Sequence, residues 1–363
     1  KPANEYYNSS TDDLFNTTLA QDCINAAEAA NPAHDFSQYQ GFNIHYNLDV
    51  VGYALGGGAF VTIEGTPTST RMTWNPPWAF QSLGVIAHEM GHAYGWPHSN
   101  SDTGPDDTWP YDNAYDVMSE AQACYQNVQQ AGFGCEQIGT IAYHLRMNNW
   151  ITDAQTAFVP RGSEQIVTIN ALTSANPSNH PLVIEAEGTT GVSHYTIEAR
   201  SLDNYDANLW GPGVVIHQIV PSRKEPAYLI DGTPNTGQPY GDDGDVWTPG
   251  EIYRDTITGL TVEVLSQSGN SYTVRVDNAS DFVYPEIRYD DADSIASYSG
   301  DWQQQDGQSV TTDPNASVTF DVINAREIET FASGDYVVET QGLLSGTNSV
   351  QSVSSDLDSP QSS

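Results

Sequence analysis

The stretch Ala87-His88-Glu89-Met90-Gly91-His92-Ala93-Tyr94-Gly95-Trp96-Pro97-His98-Ser99 places three histidines and a glutamate within eleven residues, His88 to His98. Residues four apart on a helix share a face one turn from each other, so His88 and His92 present their imidazoles side by side. Two neutral ring nitrogens at that spacing can grip one zinc ion at about 2.0–2.1 Å each. Glu89 adjoins the first of them, and its carboxylate can reach a water on the ion without being a ligand. Gly95 stands where a helix ends on a positive φ that glycine adopts at little cost, and Pro97 cannot continue a helix. The chain is therefore expected to turn under the helix and return His98 as a third ligand. Three protein ligands leave the fourth tetrahedral position open, the arrangement of a reactive zinc rather than a purely structural one.

On the N-terminal side of this stretch, apolar spacing predicts a helix over Leu14 to Ala30, with Asp12 or Asp13 as N-cap and Pro32 closing it. Leu14, Leu19, Cys23, Ile24 and Ala27 fall mainly on one face of that helix. Short runs at Phe42–Leu48, Ala59–Ile63 and Arg71–Trp74, separated by Gly56, Gly57, Gly58 and Pro67, read as strands of one sheet. A second helix, from about Pro77 to Tyr94, carries the histidines, and a third lies around Ile138 to Met147. After Trp150 helical periodicity gives way to short strands at Gln165–Ile169, Leu182–Glu187, His194–Ala199, Val214–Val220, Thr261–Leu265 and Tyr272–Val276, the pattern of an all-β sandwich. From about Asp281 a third region shows strand-like pieces at Ser317–Val322 and Tyr336–Glu339 and ends in a Ser/Gly/Asp-rich stretch that reads as a flexible tail. The expected fold class is α+β, with a catalytic-type region at 1–155, a β-sandwich at 156–280 and a β-rich C-terminal segment at 281–363.

Composition narrows the partners. With 11 basic and 47 acidic residues among 363, the net charge is 11 − 47 = −36, and Lys1 and Lys224 are the only lysines. Such a field repels phosphate backbones and anionic membrane surfaces, so nucleic acid is excluded as a partner. The same field favours the approach of basic or neutral substrates over acidic ones. No run of about 18 uncharged apolar residues occurs, so no membrane span is expected. The chain starts at Lys1 with no signal segment and reads as a trimmed form of a longer precursor, with secretion as the expected localisation. Sequons at Asn8, Asn16, Asn278 and Asn315 permit glycosylation.

His-Glu-x-x-His-x-x-Gly-x-x-His followed by a methionine turn resembles the metzincin metallopeptidases. The turn is Tyr115-Asp116-Val117-Met118-Ser119, with Met118 twenty residues after His98. The resemblance implies a catalytic domain of a mixed twisted sheet plus the active-site helix, zinc on His88, His92 and His98, and Met118 as an apolar floor beneath the ligands. It implies peptide hydrolysis, with Glu89 as general base and then acid. Within this group the chain is most similar to secreted gametolysin-like and immune-inhibitor-A-like peptidases. The likeness rests on Asp35-Phe36-Ser37-Gln38-Tyr39, on the methionine turn, and on the strand-like segments His194–Arg200, Gly213–His217 and Asp245–Glu251. It spans roughly residues 1–278 and is strong over 85–120. Immune-inhibitor-type enzymes usually place Asp where this chain has His98, so the ligand set is nearer the gametolysin side. Some metzincins carry a tyrosine two residues after the methionine that helps hold the oxyanion. Here Glu120 takes that position, which leaves the role to be filled, with Tyr115 and Tyr125 as candidates. The family's opening strand normally precedes the long helix and is expected upstream of residue 1, with any inhibitory prosegment. In this fold the strand before the active-site helix serves as an open edge to which substrate adds, and Thr70–Trp74, with Arg71, Thr73 and Trp74, is the candidate.

Other residues carry weaker signals. Cys124 and Cys135 bracket ten residues just after the methionine turn, and a disulfide there would pin the rim of the cleft. Cys23 then stays single as a small buried hydrophobe, or pairs with one of the two. Asp242-Asp243-Gly244-Asp245 can offer carboxylates to calcium but lacks the remaining ligands of an EF-hand, so a solvated acidic loop is its competing reading. His34, His45, His144, His180, His194 and His217 show no ligand spacing among themselves. The segment Asp102–Asp116 lines a substrate pocket or simply bridges two elements. The partner expected is a protein or glycoprotein substrate. The competing class is a cell-surface or carbohydrate-binding protein whose β-rich half recognises glycan and whose metal site is vestigial.

Overall fold

The computed structural model describes residues 5–11, 13–47, 51–101, 111–119, 121, 124–174, 179–189, 191–232, 245–255 and 258–278, and beyond them only strand segments between 286 and 355. The chain forms two compact units, Lys1–Ser280 and Asp281–Ser363. The fold is mixed α+β, rich in sheet and poor in helix, as the periodicities predict.

The first unit begins with a short hairpin, β1 (Tyr7–Asn8) and β2 (Asp13–Leu14), followed by α1 (Asn16–Ala30). Helix α1 starts two residues later than the apolar spacing suggests, because Leu14 is taken into β2. Phe15 is the N-cap and makes no side-chain capping bond; Asp12 lies outside the described residues. Leu19, Ala20 and Ile24 are the residues of α1 that become buried, packed on Val61, Ile63, Met72 and Trp74 of a three-stranded sheet. That sheet contains β3 (Gly41–His45), β4 (Leu55–Ile63) and β5 (Thr66–Asn75) in the order β3-β5-β4, with β3 parallel and β4 antiparallel to β5.

This order corrects the expectation for Arg71, Thr73 and Trp74. They sit on the central strand, with backbone partners on both sides (Gly41 and Gly58 for Arg71, Ile44 and Leu55 for Trp74), so β5 cannot accept a further strand. Their side chains serve the fold: Thr73 donates to Asn43 Oδ1 at 2.8 Å, and the buried Trp74 donates its indole N–H to Asn16 O at 2.9 Å. Among the described residues β3 and β4 are the two edges.

The expected second helix divides in two. Pro77–Gln81 is a 3-10 turn, and α2 (Leu83–Ala93) begins after Ser82, whose hydroxyl accepts from Val85 N. After α2 come β6 (Ser99–Ser101), a small hairpin of β7 (Gln129–Gln130) and β8 (Gly134–Cys135), and α3 (Ala142–Met147), which is shorter at its start than predicted. The disulfide Cys124–Cys135 closes the hairpin segment across a Cα–Cα distance of 5.8 Å, and Cys23 is a free, half-buried thiol.

The remaining strands of this unit are β9 (Thr156–Val159), β10 (Ser163–Asn170), β11 (Val183–Thr189), β12 (Val192–Arg200), β13 (Gly213–Ile219), β14 (Ala227–Leu229), β15 (Ile252–Arg254), β16 (Leu260–Ser268) and β17 (Ser271–Asn278). They form a six-stranded sheet, β6-β14-β13-β12-β11-β9, and a four-stranded sheet, β10-β17-β16-β15. Period-2 burial along β17 turns Tyr272, Val274 and Val276 inward, where they share one core with Ile184, Ile197 and Ile216 of the larger sheet. Each such fully buried side chain contributes about 1.5–3 kcal/mol. Strand β6 comes from the histidine-bearing region yet pairs parallel with β14, Ser99 opposite Ala227, so that region and the sandwich share a sheet. Asn278, the third sequon, is fully buried and donates to Val159 O and Glu187 O, which closes it to modification in the folded state.

The second unit contains β18 (Glu286–Ile287), β19 (Ala296–Ser299), β20 (Gln303–Gln305), β21 (Gln308–Val310), β22 (Ser317–Val322), β23 (Thr330–Phe331), β24 (Tyr336–Thr340) and β25 (Asn348–Ser355). Four of these make an antiparallel sheet in the order β19-β22-β25-β24. The stretch expected as a flexible tail therefore supplies a strand, β25. Among the described residues no helix is long and apolar enough to cross a membrane.

Candidate metal centre

Helix α2 buries Gly84, Val85, His88 and Gly91, a stripe at i, i+4 and i+7 spacing, and so carries His88 inward with one face of the helix. Its end is a Schellman motif: Gly95 N donates to His92 O at 2.9 Å and Trp96 N to Gly91 O at 3.0 Å, with Gly95 at φ +89°. The reversal brings His98 back beside the helix. The three Nε2 atoms converge, 3.0 Å apart for His88 and His92, 2.9 Å for His92 and His98, and 3.2 Å for His88 and His98.

The outer nitrogens decide what those inner atoms are. His88 Nδ1 lies 2.8 Å from Val117 O and His92 Nδ1 lies 2.9 Å from Trp96 O. A carbonyl only accepts, so each Nδ1 carries the proton and each Nε2 presents a bare lone pair. Burial, and then the neighbouring imidazoles, push the rings toward neutrality: His88 is lowered to about 4, His98 to about 3, and His92 is lowered as well. Lone pairs meeting at about 3 Å repel unless a cation lies between them. Tetrahedral ligands at about 2.0–2.1 Å from an ion stand roughly 3.3 Å from each other, close to what these rings show. The residues thus fit a metal ion, and His88, His92 and His98 are the one group among the described residues that can hold it. Of the calcium candidate, Asp242, Asp243 and Gly244 lie outside those residues.

Glu89 is 7 % exposed, and burial raises its carboxyl to about 7. Met118 is fully buried, and its Sδ fills the space that a β-carbon on Gly91, between His88 and His92, would occupy. The turn that carries Met118 is held by Asp116. One carboxylate oxygen accepts from Met118 N at 3.0 Å and Thr140 Oγ1 at 2.8 Å, and the other accepts from Ser99 Oγ at 2.6 Å. Burial acts to raise Asp116, but the His144 charge and these hydrogen bonds overcome it and hold the carboxyl well below the usual range.

The two tyrosines expected as oxyanion donors are committed elsewhere. Tyr115 is fully buried and donates to Gly211 O at 3.1 Å, while Tyr125 packs edge-on against Trp210. Tyr111 stands at the site instead, its ring 5.1 Å from that of His98 and 6.3 Å from that of His88. It is 37 % exposed, and its phenol is raised first by burial and then by the Glu89 charge. Position 120 and residues 102–110 lie outside the described residues. Sequence reasoning passed over Tyr111 because no spacing rule links it to the histidines.

Beside the centre, an open cleft of about 570 Å³ lies between the end of α2 (His92 to Gly95), Ser69–Arg71 of β5, and Gly57 and Gly58 of β4. Arg71 spans it, with its guanidinium 5.3 Å from the Tyr94 ring. No family model, no curated protein and no solved structure matches this chain.

Proposed function

We propose that the protein is a zinc-dependent endopeptidase of the metzincin type, acting outside the cell on protein or glycoprotein substrates. The observation that carries this reading is the meeting of three imidazole Nε2 atoms within 3.2 Å of one another, one residue away from a buried carboxylate. A zinc ion held there supplies Lewis acidity, polarising a peptide carbonyl and making water a stronger acid.

The chain's own residues do the rest. Glu89 takes a proton on its carboxylate from the water that attacks the scissile carbon and returns it to the amide nitrogen as the amine leaves. With no ion bound, burial raises its carboxyl to about 7. The Tyr111 hydroxyl, on the His98 side, is the donor for the developing oxyanion. Substrate pairs as an extra strand along β4, whose Gly56 backbone packs directly on that of Glu89. The cleft beyond receives side chains on one side of the scissile bond.

Metal analysis together with proteomic cleavage-site mapping tests the reading. One equivalent of zinc and cleavage abolished by chelator and restored by zinc are expected. Zinc binding without any chelator-sensitive cleavage would remove the peptidase assignment.

A further inference from the structure

Arg200, the last residue of β12, is fully buried in the sheet and far from the histidines in sequence. Its Nε and Nη2 donate to both oxygens of Asp206, at 2.8 and 2.6 Å, and its Nη1 donates to Glu198 at 3.0 Å. The same Nη1 donates to Tyr115 O at 2.6 Å. From Asp206 the connection continues: Gly139 N donates to Asp206 Oδ1 at 3.1 Å, and Val117 N donates to Gly139 O at 3.1 Å. The methionine turn is thus gripped at residue 115 and at residue 117 by two arms of one ion cluster. Between the grips, Asp116 ties the turn to Ser99, the residue that follows His98.

Between and beyond these grips, Met118 N, in the same peptide plane as the Val117 carbonyl, donates to Asp116 Oδ1 at 3.0 Å, and that carbonyl points at His88 Nδ1. Three ionisable groups in a sheet interior bring no general gain in stability, since apolar residues of similar volume often do as well. What this cluster does have is aim: each arm ends on the backbone of the turn behind the metal ligands.

We infer that Arg200 is a positioning residue for the metal centre, holding the Tyr115–Val117 backbone so that the Val117 carbonyl fixes the tautomer and direction of His88. The inference rests on the metal centre proposed above and does not depend on peptide hydrolysis. It makes the six-stranded sheet a working part of the site. Partners that orient a ligating histidine from behind typically change metal affinity about 10–100-fold when lost.

The test measures zinc affinity by competition with a chromogenic chelator, and the visible spectrum of the cobalt-loaded protein, on the full chain. Two variants are compared with wild type: Glu198→Gln/Arg200→Met/Asp206→Asn, which leaves no ionisable group in the cluster, and Arg200→Lys, which keeps the charge but cannot hold Asp206 by two parallel bonds while reaching Tyr115 O. Val276→Ala, in the core between the two sheets, serves as a control for loss of stability alone. Zinc affinity about tenfold or more below wild type in a folded variant, with an altered cobalt spectrum and with the control unchanged, supports the role. Zinc affinity within about threefold of wild type in either folded variant overturns it, as does a control that loses as much affinity as the variants. A wild-type chain that binds no zinc removes the centre itself and this inference with it, whereas zinc binding without peptidase activity removes only the functional reading.

Discussion

Met118 and Gly91 are fitted to each other: the sulfur of one occupies the space that a side chain on the other would need. The contact sets the depth at which α2 lies over the methionine turn, and with it the height of His88 and His92. Gly91→Ala forces helix and turn apart, and overpacking of this kind costs about 1–3 kcal/mol. A lowered melting temperature together with weakened zinc binding is expected. Met118→Leu, close in volume, should change stability by less than about 1.5 kcal/mol. Calorimetry with and without zinc reads both.

Glu89→Gln preserves shape while removing the proton acceptor. It should retain one zinc per chain and lose about 10²–10⁴-fold in turnover on casein. His92→Ala should lose the zinc itself. Wild-type turnover by Glu89→Gln would refute the role given to Glu89.

Tyr111→Phe deletes one hydroxyl at the site. Loss of a donor to a developing oxyanion lowers kcat about 10²-fold or more, with KM little changed. Tyr115→Phe and Tyr125→Phe should leave kcat within about twofold, given where those hydroxyls lie. Steady-state kinetics on one fluorogenic peptide separates the three.

The chelated protein should show two opposing responses to pH. Burial holds His88 near 4 and His98 and His217 near 3, below the 6.5 of an exposed imidazole, so the unfolded chain binds more protons between those limits. Stability from these groups is present above about pH 6.5 and is lost as pH falls toward 4. Glu89 is raised from 4.5 to about 7, so its contribution is full below pH 4.5 and is lost as pH rises through 7. Urea midpoints of the chelated protein should therefore drop steeply below pH 6. Glu89→Gln should be more stable than wild type at pH 8, by up to ~3 kcal/mol, with little difference at pH 5.

Replacing Cys124 and Cys135 by serine opens a loop of about a dozen residues, for which chain entropy predicts a loss of about 3 kcal/mol. The segment it closes is attached to Asn208, whose amide donates to Val128 O and Glu136 O, both at 2.8 Å. A melting temperature lowered by several degrees is expected, with zinc affinity retained because no ligand lies in the loop. A fall in zinc affinity equal to that of His92→Ala would contradict this.

The parts of the site legible in the sequence are those set by local geometry. The i, i+4 histidines and the glycine at positive φ need only a helix and its end, and both are where spacing places them. The division of the second helix was also signalled, since Pro76 and Pro77 precede a serine able to cap, but an unbroken apolar pattern obscured it. Strand order was not legible: whether β5 is an edge or the centre depends on pairing with residues thirty positions away. The run Gly56–Gly58 reads as a separator, whereas in the fold it is strand backbone, with Gly56 lying close against Glu89 of α2. Tyr111 and Arg200 come to the site through long-range contacts that leave no periodic trace. For Arg200 a hint existed, a charged residue ending an apolar strand six positions before Asp206.

Strand β6 joins the larger sheet directly after His98, while His88 and His92 belong to a helix packed on a different sheet. An ion bound to all three would be a rivet driven through two plates. Filling the hole should stiffen the seam between the plates as well as arm the site, in proportion to the logarithm of free ion over its dissociation constant. Starvation for metal would then slacken a joint that proteases can pry open, so that loss of the ion and loss of the protein itself would go together.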